Sequence, residues 1–204
     1  MLKNLINGIA AGVLIAIGGS VYMSCDNKYI GAILFSVALL CICYKGYSLF
    51  TGKVGFMPEK HDGEAWSVLL WGLLGNFIAT VGFGLLIRYA NPAIGAAAEV
   101  ACAAKLTQAM PQTLIRAFFC GILMYLAVSV YRDKQSIAGI FFCVPVFILS
   151  GFEHSIANMF YFGASGKIDL DVIIYLVIVI IGNAIGGVFL PLLSITCNKE
   201  KKNG

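Results

Sequence analysis

The chain has 204 residues, of which 60% are hydrophobic and only 12% are charged, and its formal net charge is +4. A soluble domain carries about 25% charged residues, so this composition excludes an ordinary soluble protein and predicts an integral membrane protein. The small positive charge is scattered along the chain, which excludes nucleic acid as an expected partner.

Six apolar runs are long enough to cross a bilayer as helices, which takes about 20 residues each. In chain order they cover residues 5–23, 30–50, 66–89, 114–131, 137–162 and 170–196. The first run ends without a small-x-small cleavage site, so we expect it to stay as a helix and not to be removed as a signal peptide. The pattern predicts an all-α membrane protein with a single transmembrane domain, residues 1–204.

Basic residues between the runs predict which side of the membrane the termini face. With the N-terminus inside, eight Lys and Arg residues fall inside and five outside. The inside set is Lys3, Lys53, Lys60, Arg132, Lys134, Lys199, Lys201 and Lys202, and the outside set is Lys28, Arg88, Lys105, Arg116 and Lys167. Cytoplasmic segments carry the excess of Lys and Arg. Both termini are therefore predicted to be cytoplasmic, in the inner or plasma membrane of a cell.

The chain contains an internal repeat. Residues 12–22 match residues 121–131 at a shift of 109, and after a gap the matches continue at a shift of 107. The later matches pair Ile30 with Ile137, Phe35 with Phe142, Val37 with Val144, Ser48 with Ser155, Gly75-Asn76 with Gly182-Asn183, and Leu86 with Leu193. We predict two repeats, about residues 5–90 and 112–196, with three spans each.

An odd number of spans makes the second repeat enter the membrane from the opposite side. Inverted repeats of this kind are common in transporters and channels, which place their site at the repeat interface. The repeat therefore favours transport. A purely structural membrane protein that arose by duplication is the alternative.

Polar residues interrupt the second span of each repeat. The first interruption contains Thr51, and the second, residues 151–159, contains Glu153, His154 and Asn158. Ionisable groups at membrane depth are costly and normally face a cavity or pathway, and matching interruptions predict discontinuous helices that flank a site. We expect His154 to face the pathway, with a structural histidine bonded between helices as the alternative. We expect Glu153 to be a structural partner of the broken backbone.

Asn76 and Asn183 occupy equivalent places beside small residues in the third span of each repeat. Hydrogen bonding between helices accounts for both side chains. For Asn183, a position at the cytoplasmic mouth is an alternative.

No motif indicates an enzyme. The chain has no HExxH and no GxSxG motif, and its seven cysteines, most of them in apolar runs, include no CxxC pair. No metal and no cofactor are therefore predicted. An intramembrane enzyme that uses Glu153 and His154, and a non-conducting membrane scaffold or accessory subunit, remain as alternatives to transport.

At five places the chain resembles the formate/nitrite transporter family. They are Leu49-Phe50-Thr51-Gly52, Gly75-Asn76, Gly121-Ile122-Leu123, Gly151 to Met159 and Gly182-Asn183, in the family's order over nearly the whole chain. The resemblance implies an aquaporin-like protomer with broken second and fifth helices, assembled as a homopentamer in membrane lipid. Each protomer would move a small monovalent weak-acid anion, coupled to a proton or as the neutral acid. Formate or nitrite is expected first, with hydrosulfide, lactate and acetate as further candidates.

The resemblance also implies roles for single residues. Thr51 and His154 would form the centre of the pathway, and Lys105 is similar to the lysine of the family's outer vestibule, which would gather anions. Apolar constrictions would fall on Leu39 and Phe147, with Asn183, on the cytoplasmic side, and on Phe35, Phe50 and Val128 on the outer side.

The chain departs from the family's pattern mainly in the second span. Ser48 stands where the family has a glutamate, and Lys53 stands where it has an asparagine. Tyr125 replaces an asparagine in the fourth span. The segment from Thr51 to Trp66 is also brief, so the half-helix after the second-span break is expected to be stunted.

Overall fold

The computed structural model describes the backbone of residues 1–203 and the side chains of residues 1–197. The inside cations Lys199, Lys201 and Lys202 therefore lie outside the described side chains. In the described part the elements are α1 (Leu2–Ser24), α2 (Lys28–Lys45), α3 (Phe50–Lys53), a 3₁₀ turn (Val54–Phe56), α4 (Gly63–Ala90), α5 (Pro92–Leu106), α6 (Met110–Lys134), α7 (Ala138–Leu149), α8 (Ser155–Ser165) and α9 (Leu170–Asn203).

Five helices are long and apolar enough to cross a membrane: α1, α2, α4, α6 and the Leu170–Cys197 part of α9. The predicted all-α membrane fold is confirmed. The predicted fifth span is two helices, because residues 150–154 separate the 12 residues of α7 from the 11 residues of α8. The second span ends at Lys45 rather than at residue 50, and α3 adds only four residues. The structure thus confirms both predicted breaks and the stunted half-helix.

Local sequence explains where the broken helices begin and end. Asn27 caps α2, because its side-chain oxygen accepts hydrogen bonds from the backbone N–H groups of Tyr29 and Ile30. Gly46 and Gly151 follow α2 and α7 with φ values of 68° and 66°. Glycine adopts this left-handed conformation without steric cost, so each glycine lets the chain leave its helix in a sharp turn.

The helix pair α1 and α4 packs in the same way as the pair α6 and α9. A Cβ atom at Gly12 would lie 2.9 Å from the carbonyl oxygen of Asn76, and a Cβ atom at Gly121 would collide with the carbonyl oxygen of Asn183. Small residues allow backbones to approach this closely inside a membrane. The equivalent contacts of Gly12 and Gly121 confirm the predicted shift of 109 between the first helices of the repeats.

Helix α5 was not among the predicted elements. It begins at Pro92, a residue favoured in the first turn of a helix, and it buries Ile94, Gly95, Ala98 and Cys102, partly against α8. With 15 residues α5 is shorter than a transmembrane span, so long apolar runs in the sequence do not predict it. Its functional consequence is that it carries Lys105 to the neighbourhood of the second break.

Large apolar side chains cover much of the outer surface. Ile17, Leu70, Phe142 and Leu193 are each about half exposed or more, from 49% to 73%. Exposed apolar patches of this extent mark membrane or protein contacts. They fit a bundle whose outer surface faces lipid or neighbouring subunits.

Candidate functional site

A buried asparagine holds the first break, residues 46–49. The Asn76 side chain on α4 accepts a hydrogen bond from the N–H of Phe50 at 2.9 Å. It donates to the carbonyl oxygens of Ser48 at 2.9 Å and Gly8 at 2.8 Å. A broken helix leaves backbone groups that hydrocarbon cannot satisfy, and this one amide supplies partners for both sides of the break.

A second asparagine holds the second break, residues 150–154, in the same way. The Asn183 side chain on α9 accepts from the N–H of Ser155 and donates to the carbonyl oxygens of Glu153 and Ala117, each at 2.8 Å. Asn183 is 0% exposed. The alternative that it borders the cytoplasmic mouth is therefore wrong, because its amide is fully engaged behind the break.

These two asparagine clamps correct the predicted alignment of the breaks. The equivalent backbone groups lie at a shift of 105, from Ser48 to Glu153 and from Phe50 to Ser155. The predicted shift of 107 is wrong here, although it holds for the asparagines themselves. The reason is that 26 residues separate the clamped N–H from its asparagine in the first repeat, and 28 in the second.

Thr51 and His154 meet between the two breaks. Thr51 Oγ1 lies 2.8 Å from His154 Nε2, and the two residues are 1% and 2% exposed. His154 Nδ1 accepts a hydrogen bond from the N–H of Ala157 at 3.0 Å and so caps α8. A neutral imidazole whose Nδ1 accepts carries its hydrogen on Nε2. The bonding pattern thus assigns the Nε2–H as donor to the Thr51 oxygen, which leaves the hydroxyl hydrogen for another acceptor.

Aromatic rings cover this pair. The ring of Phe147 stacks on His154, with centroids 5.4 Å apart and planes 16° apart. Phe35 meets Phe147 edge-on at 6.5 Å. The rings remove water from around the imidazole, and hydrogen bonds gain strength in such low-dielectric surroundings.

A cavity of about 270 Å³ opens next to His154. We call it the Lys105 cavity. His154, Phe147 and Gly151 line it near the break, and Lys105 and Arg116 line it elsewhere. The second break therefore opens into a space with a basic lining.

The carboxylate of Glu153 lies beside the Lys105 cavity and bonds with three side chains. It is bonded to Lys105 Nζ at 2.6 Å, Asn158 Nδ2 at 2.9 Å and Gln108 Nε2 at 3.2 Å. Its side chain is only 2% exposed. Among the described side chains, none of the hydrogen bonds of Glu153 goes to His154.

Replacing Lys105 by methionine is expected to lower the free energy of unfolding by about 3 kcal/mol, because it leaves the buried Glu153 charge without its cation. Removing one partner of a buried ion pair usually costs about 3–5 kcal/mol. We expect the lower end of that range because 18% of the Lys105 side chain is exposed. Thermal unfolding of the purified protein in detergent measures the change. Adding Glu153→Gln to Lys105→Met should restore most of the loss. A double variant no more stable than Lys105→Met would show that charge pairing is not the cause.

A second cavity, of about 510 Å³, opens beside the first break. We call it the Arg132 cavity. Arg132 forms two bonds with Glu59, at 2.9 and 3.3 Å, and its guanidinium lies 4.1 Å from the centroid of the Phe56 ring. These contacts fix the short connection after α3 to the end of α6. The rest of the wall includes Leu39, Leu49, Gly46, Gly52, Val128, Lys53 and Lys60.

The two cavities lie at opposite ends of α6. Arg116 lines one and Arg132 lines the other, and their separation of sixteen positions along the helix corresponds to about 24 Å. Gly46 and Gly151, the equivalent glycines of the two breaks, line opposite cavities. Equivalent breaks that open to opposite ends are the inverted relation that the odd number of spans predicts.

The structure redistributes the predicted constrictions. Phe147, predicted on the same side as Leu39, lines the Lys105 cavity and contacts Phe35. Val128, predicted beside Phe35, lines the Arg132 cavity with Leu39. Phe50 is 5% exposed, and neither cavity lining includes it. The predicted grouping of Phe147 with Leu39, and of Val128 with Phe35, is therefore wrong.

Sequence reasoning missed Arg116 and the pair of Arg132 with Glu59 as parts of the two cavities. A cation near the start of an apolar run was a usable signal for Arg116. The pair of Arg132 with Glu59 joins residues 73 positions apart, and no local pattern indicates it.

A sequence model of one family, described as Formate/nitrite transporter, matches residues 1–196. Among curated proteins, the formate-nitrite transporter of Plasmodium ovale is 27% identical over 82% of this chain and 66% of its own length. The nitrite transporter NirC of Escherichia coli (strain K12) is 28% identical over 64% of this chain and 54% of its own. The chain thus spans less than two thirds of the length of these relatives.

Two solved structures share the fold. An FNT family ion channel superposes with a TM-score of 0.77 at 22% identity, over 92% of this chain and 86% of its own. A pentameric formate channel with formate bound superposes with a TM-score of 0.74 at 24% identity, over 97% of each chain.

Proposed function

Because the chain belongs to the formate/nitrite transporter family, we propose that it is a membrane channel or transporter for small monovalent weak-acid anions. Formate or nitrite is the first candidate substrate, followed by hydrosulfide, lactate and acetate. The observation that carries the proposal is the buried hydrogen bond between Thr51 and His154, with a cavity on either side of it. A histidine that only bonds helices together does not require cavities at both ends of α6, whereas a transport pathway does.

The anion enters one cavity and meets an apolar constriction before the centre. Phe35 and Phe147 form the constriction on the Lys105 side, and Leu39 and Val128 form the one on the Arg132 side. Apolar rings gate by excluding water. A bare anion is very costly in such a place, whereas the neutral acid is far cheaper to move. Burial therefore favours uptake of a proton by the substrate itself.

At the centre, the hydroxyl hydrogen of Thr51 donates to the substrate, and the His154 Nε2–H turns from the Thr51 oxygen to donate to the substrate as well. The proton comes from water in a cavity and not from the imidazole. A second ring hydrogen, on His154 Nδ1, would displace the N–H of Ala157 and open the first turn of α8. His154 therefore acts as a neutral donor throughout.

Two residues give the Lys105 cavity its positive field. Lys105 shares its charge with Glu153 at 2.6 Å, so it gathers anions less well than the resemblance implies. Arg116 lines the same cavity, and no carboxylate oxygen of residues 1–197 lies within 4.0 Å of its guanidinium. Arg116 thus supplies the net charge that draws anions to this end.

The assembled protein is a homopentamer in the inner or plasma membrane, with the Arg132 cavity and both termini on the cytoplasmic side. Near the start of α1, the carbonyl of Asn7 accepts a hydrogen bond from Ser48 in the first break, and Gly187 of α9 lies against Val54 and Gly55. Both contacts support termini at the Arg132 end. The positive-inside rule supports the choice of the cytoplasm for that end.

Flux of formate or nitrite into proteoliposomes is expected to rise as the external pH falls from about 7.5 to 5.5. At a pH well above the pKa of the acid, each unit by which the pH falls raises the fraction of neutral acid about tenfold. Stopped-flow light scattering or labelled uptake measures the initial rate. Protein-free liposomes provide the background, since formic acid crosses lipid unaided. If none of the five acids moved faster than this background at any pH, the proposal would be wrong. Flux above background that ignored pH would contradict the proton step alone.

A non-conducting scaffold or accessory subunit is the second candidate. The four-residue α3 favours it, because one helical turn replaces the half-helix that the second repeat retains in α8. The same flux screen decides between the two candidates.

A further inference from the structure

Lys53 is a cation of the Arg132 cavity. It is the last residue of α3, two positions after Thr51, and it lines the cavity. Within residues 1–197, no carboxylate oxygen lies within 4.0 Å of its ammonium group. Its charge is therefore available to a mobile anion.

The neighbouring cation Lys60 is paired. It lies 3.4 Å from Asp62 and 3.5 Å from Glu64. The hydrogen bond with Asp62 raises the pKa of Lys60, so Lys60 stays charged and paired with these carboxylates. Lys60 lines the same cavity, so it is a natural control for Lys53.

Arg132 is also paired. It bonds with Glu59 at 2.9 Å and with Asp133 at 2.7 Å. These contacts use the guanidinium to hold the connection after α3, so little of its charge reaches the cavity uncompensated.

The walls near Lys53 strengthen the effect of its charge. The side chains of Leu39, Ile42, Leu49 and Val128 line the cavity, and low-dielectric walls focus the field of a charge into the space between them. The short α3 places this charge on the same helical turn as Thr51. A charge at this place acts on an anion shortly before the anion reaches the centre.

On the basis of the proposed function, we propose that Lys53 is the anion-docking residue at the Arg132 mouth. It holds a small monovalent anion by charge next to the Leu39 and Val128 constriction and raises its concentration there. Thr51 and His154 then receive the anion. Lys53 thus determines affinity at this mouth, and the chemistry of the centre is left to Thr51 and His154.

The first test compares initial rates of formate uptake into proteoliposomes at pH 7 for the wild type, Lys53→Met, Lys53→Arg and Lys60→Met. Lys53→Met should raise the KM roughly 3- to 10-fold at low ionic strength, with little change in the maximal rate. The difference should shrink in about 0.5 M of an impermeant salt, because salt screens a solvent-accessible charge. Lys53→Arg should keep the wild-type KM, and Lys60→Met should change it less than twofold.

The second test does not depend on transport. Cys43 lines the same cavity. In a protein whose Cys25, Cys41, Cys143 and Cys197 are serine, the rate of Cys43 modification is measured with two methanethiosulfonates, one bearing a sulfonate and the other a trimethylammonium group. The rate ratio of anionic to cationic reagent should fall about 10-fold in Lys53→Met and stay unchanged in Lys60→Met.

The outcomes separate the two proposals. A wild type that moves no anion overturns the proposed function, and the thiol ratio then decides alone whether Lys53 attracts anions. A wild type that conducts, with equal KM and equal thiol ratio in Lys53→Met, overturns the role of Lys53 and leaves the proposed function in place. A lower maximal rate and lower melting temperature at unchanged KM would show a structural role, which also contradicts docking.

Discussion

Anion flux is expected to fall about 10- to 100-fold when His154 is replaced by alanine. The change removes the Nε2–H donor from the dry centre, where a hydrogen bond to a charged group contributes about 1.5–3 kcal/mol. It also removes the Nδ1 acceptor that caps α8, and the loss of a cap costs about 1 kcal/mol of stability. Labelled formate uptake into proteoliposomes measures the first effect, and thermal unfolding measures the second.

His154→Asn separates the two roles. Asparagine is a good capping residue, so its side-chain oxygen should accept from the N–H of Ala157 and keep the stability near that of the wild type. It is too short to replace the bond with Thr51, so its flux should stay as low as that of His154→Ala. Wild-type flux in either variant would remove His154 from the pathway centre.

Asn183→Ala is expected to lower the free energy of unfolding by about 3–5 kcal/mol. The change leaves the N–H of Ser155 and the carbonyl oxygens of Glu153 and Ala117 buried without their partner, and each such group costs about 1–3 kcal/mol. Asn76→Ala should cost a similar amount, because its side chain makes the same three kinds of bond. Thermal unfolding in detergent measures both, and hydrogen exchange of a peptide covering residues 150–158 should report faster exchange at the second break.

Asn4→Ala is the matched control for the clamp variants. Asn4 donates one hydrogen bond to the Ser67 hydroxyl at 3.1 Å in a partly buried place. Its loss should cost about 1 kcal/mol or less, without faster exchange at the break. If Asn183→Ala were no more destabilising than Asn4→Ala, the clamp would not be what holds the break.

The positions of the breaks followed from the sequence because the cause is local. Glycine and polar residues interrupt apolar runs at Gly46 and Gly151, and a membrane helix tolerates such interruptions only at a site. The alignment of the breaks did not follow from the sequence. Apolar runs match one another at several shifts, and the two-residue difference between the repeats became visible only through the bonds of Asn76 and Asn183.

The grouping of the constriction residues failed for a different reason. It was taken from the family resemblance, and nothing in the sequence shows which cavity Phe147 or Val128 lines. The bond between Thr51 and His154, which joins residues 103 positions apart, was expected only through the family resemblance. Periodicity alone names neither residue as the partner of the other.

Lys53 shows a different limit. The sequence marks it as a departure, a lysine in place of an asparagine, but composition cannot tell a neutralised charge from a free one. The sequence does not show which of Lys53, Lys60 and Lys105 has its charge paired. Their different roles depend on which carboxylates the fold brings within reach.

The asparagine clamps have a consequence for how the protein is made. The bonds of Asn76 reach no further than Gly8 and Phe50, so every partner of the first break has been synthesised once α4 is in the membrane. The second break likewise finds its partners between Ala117 and Asn183. Each repeat can therefore complete its own broken helix in the order of translation. Thr51 and His154 belong to different repeats, so their hydrogen bond at the centre must wait for both.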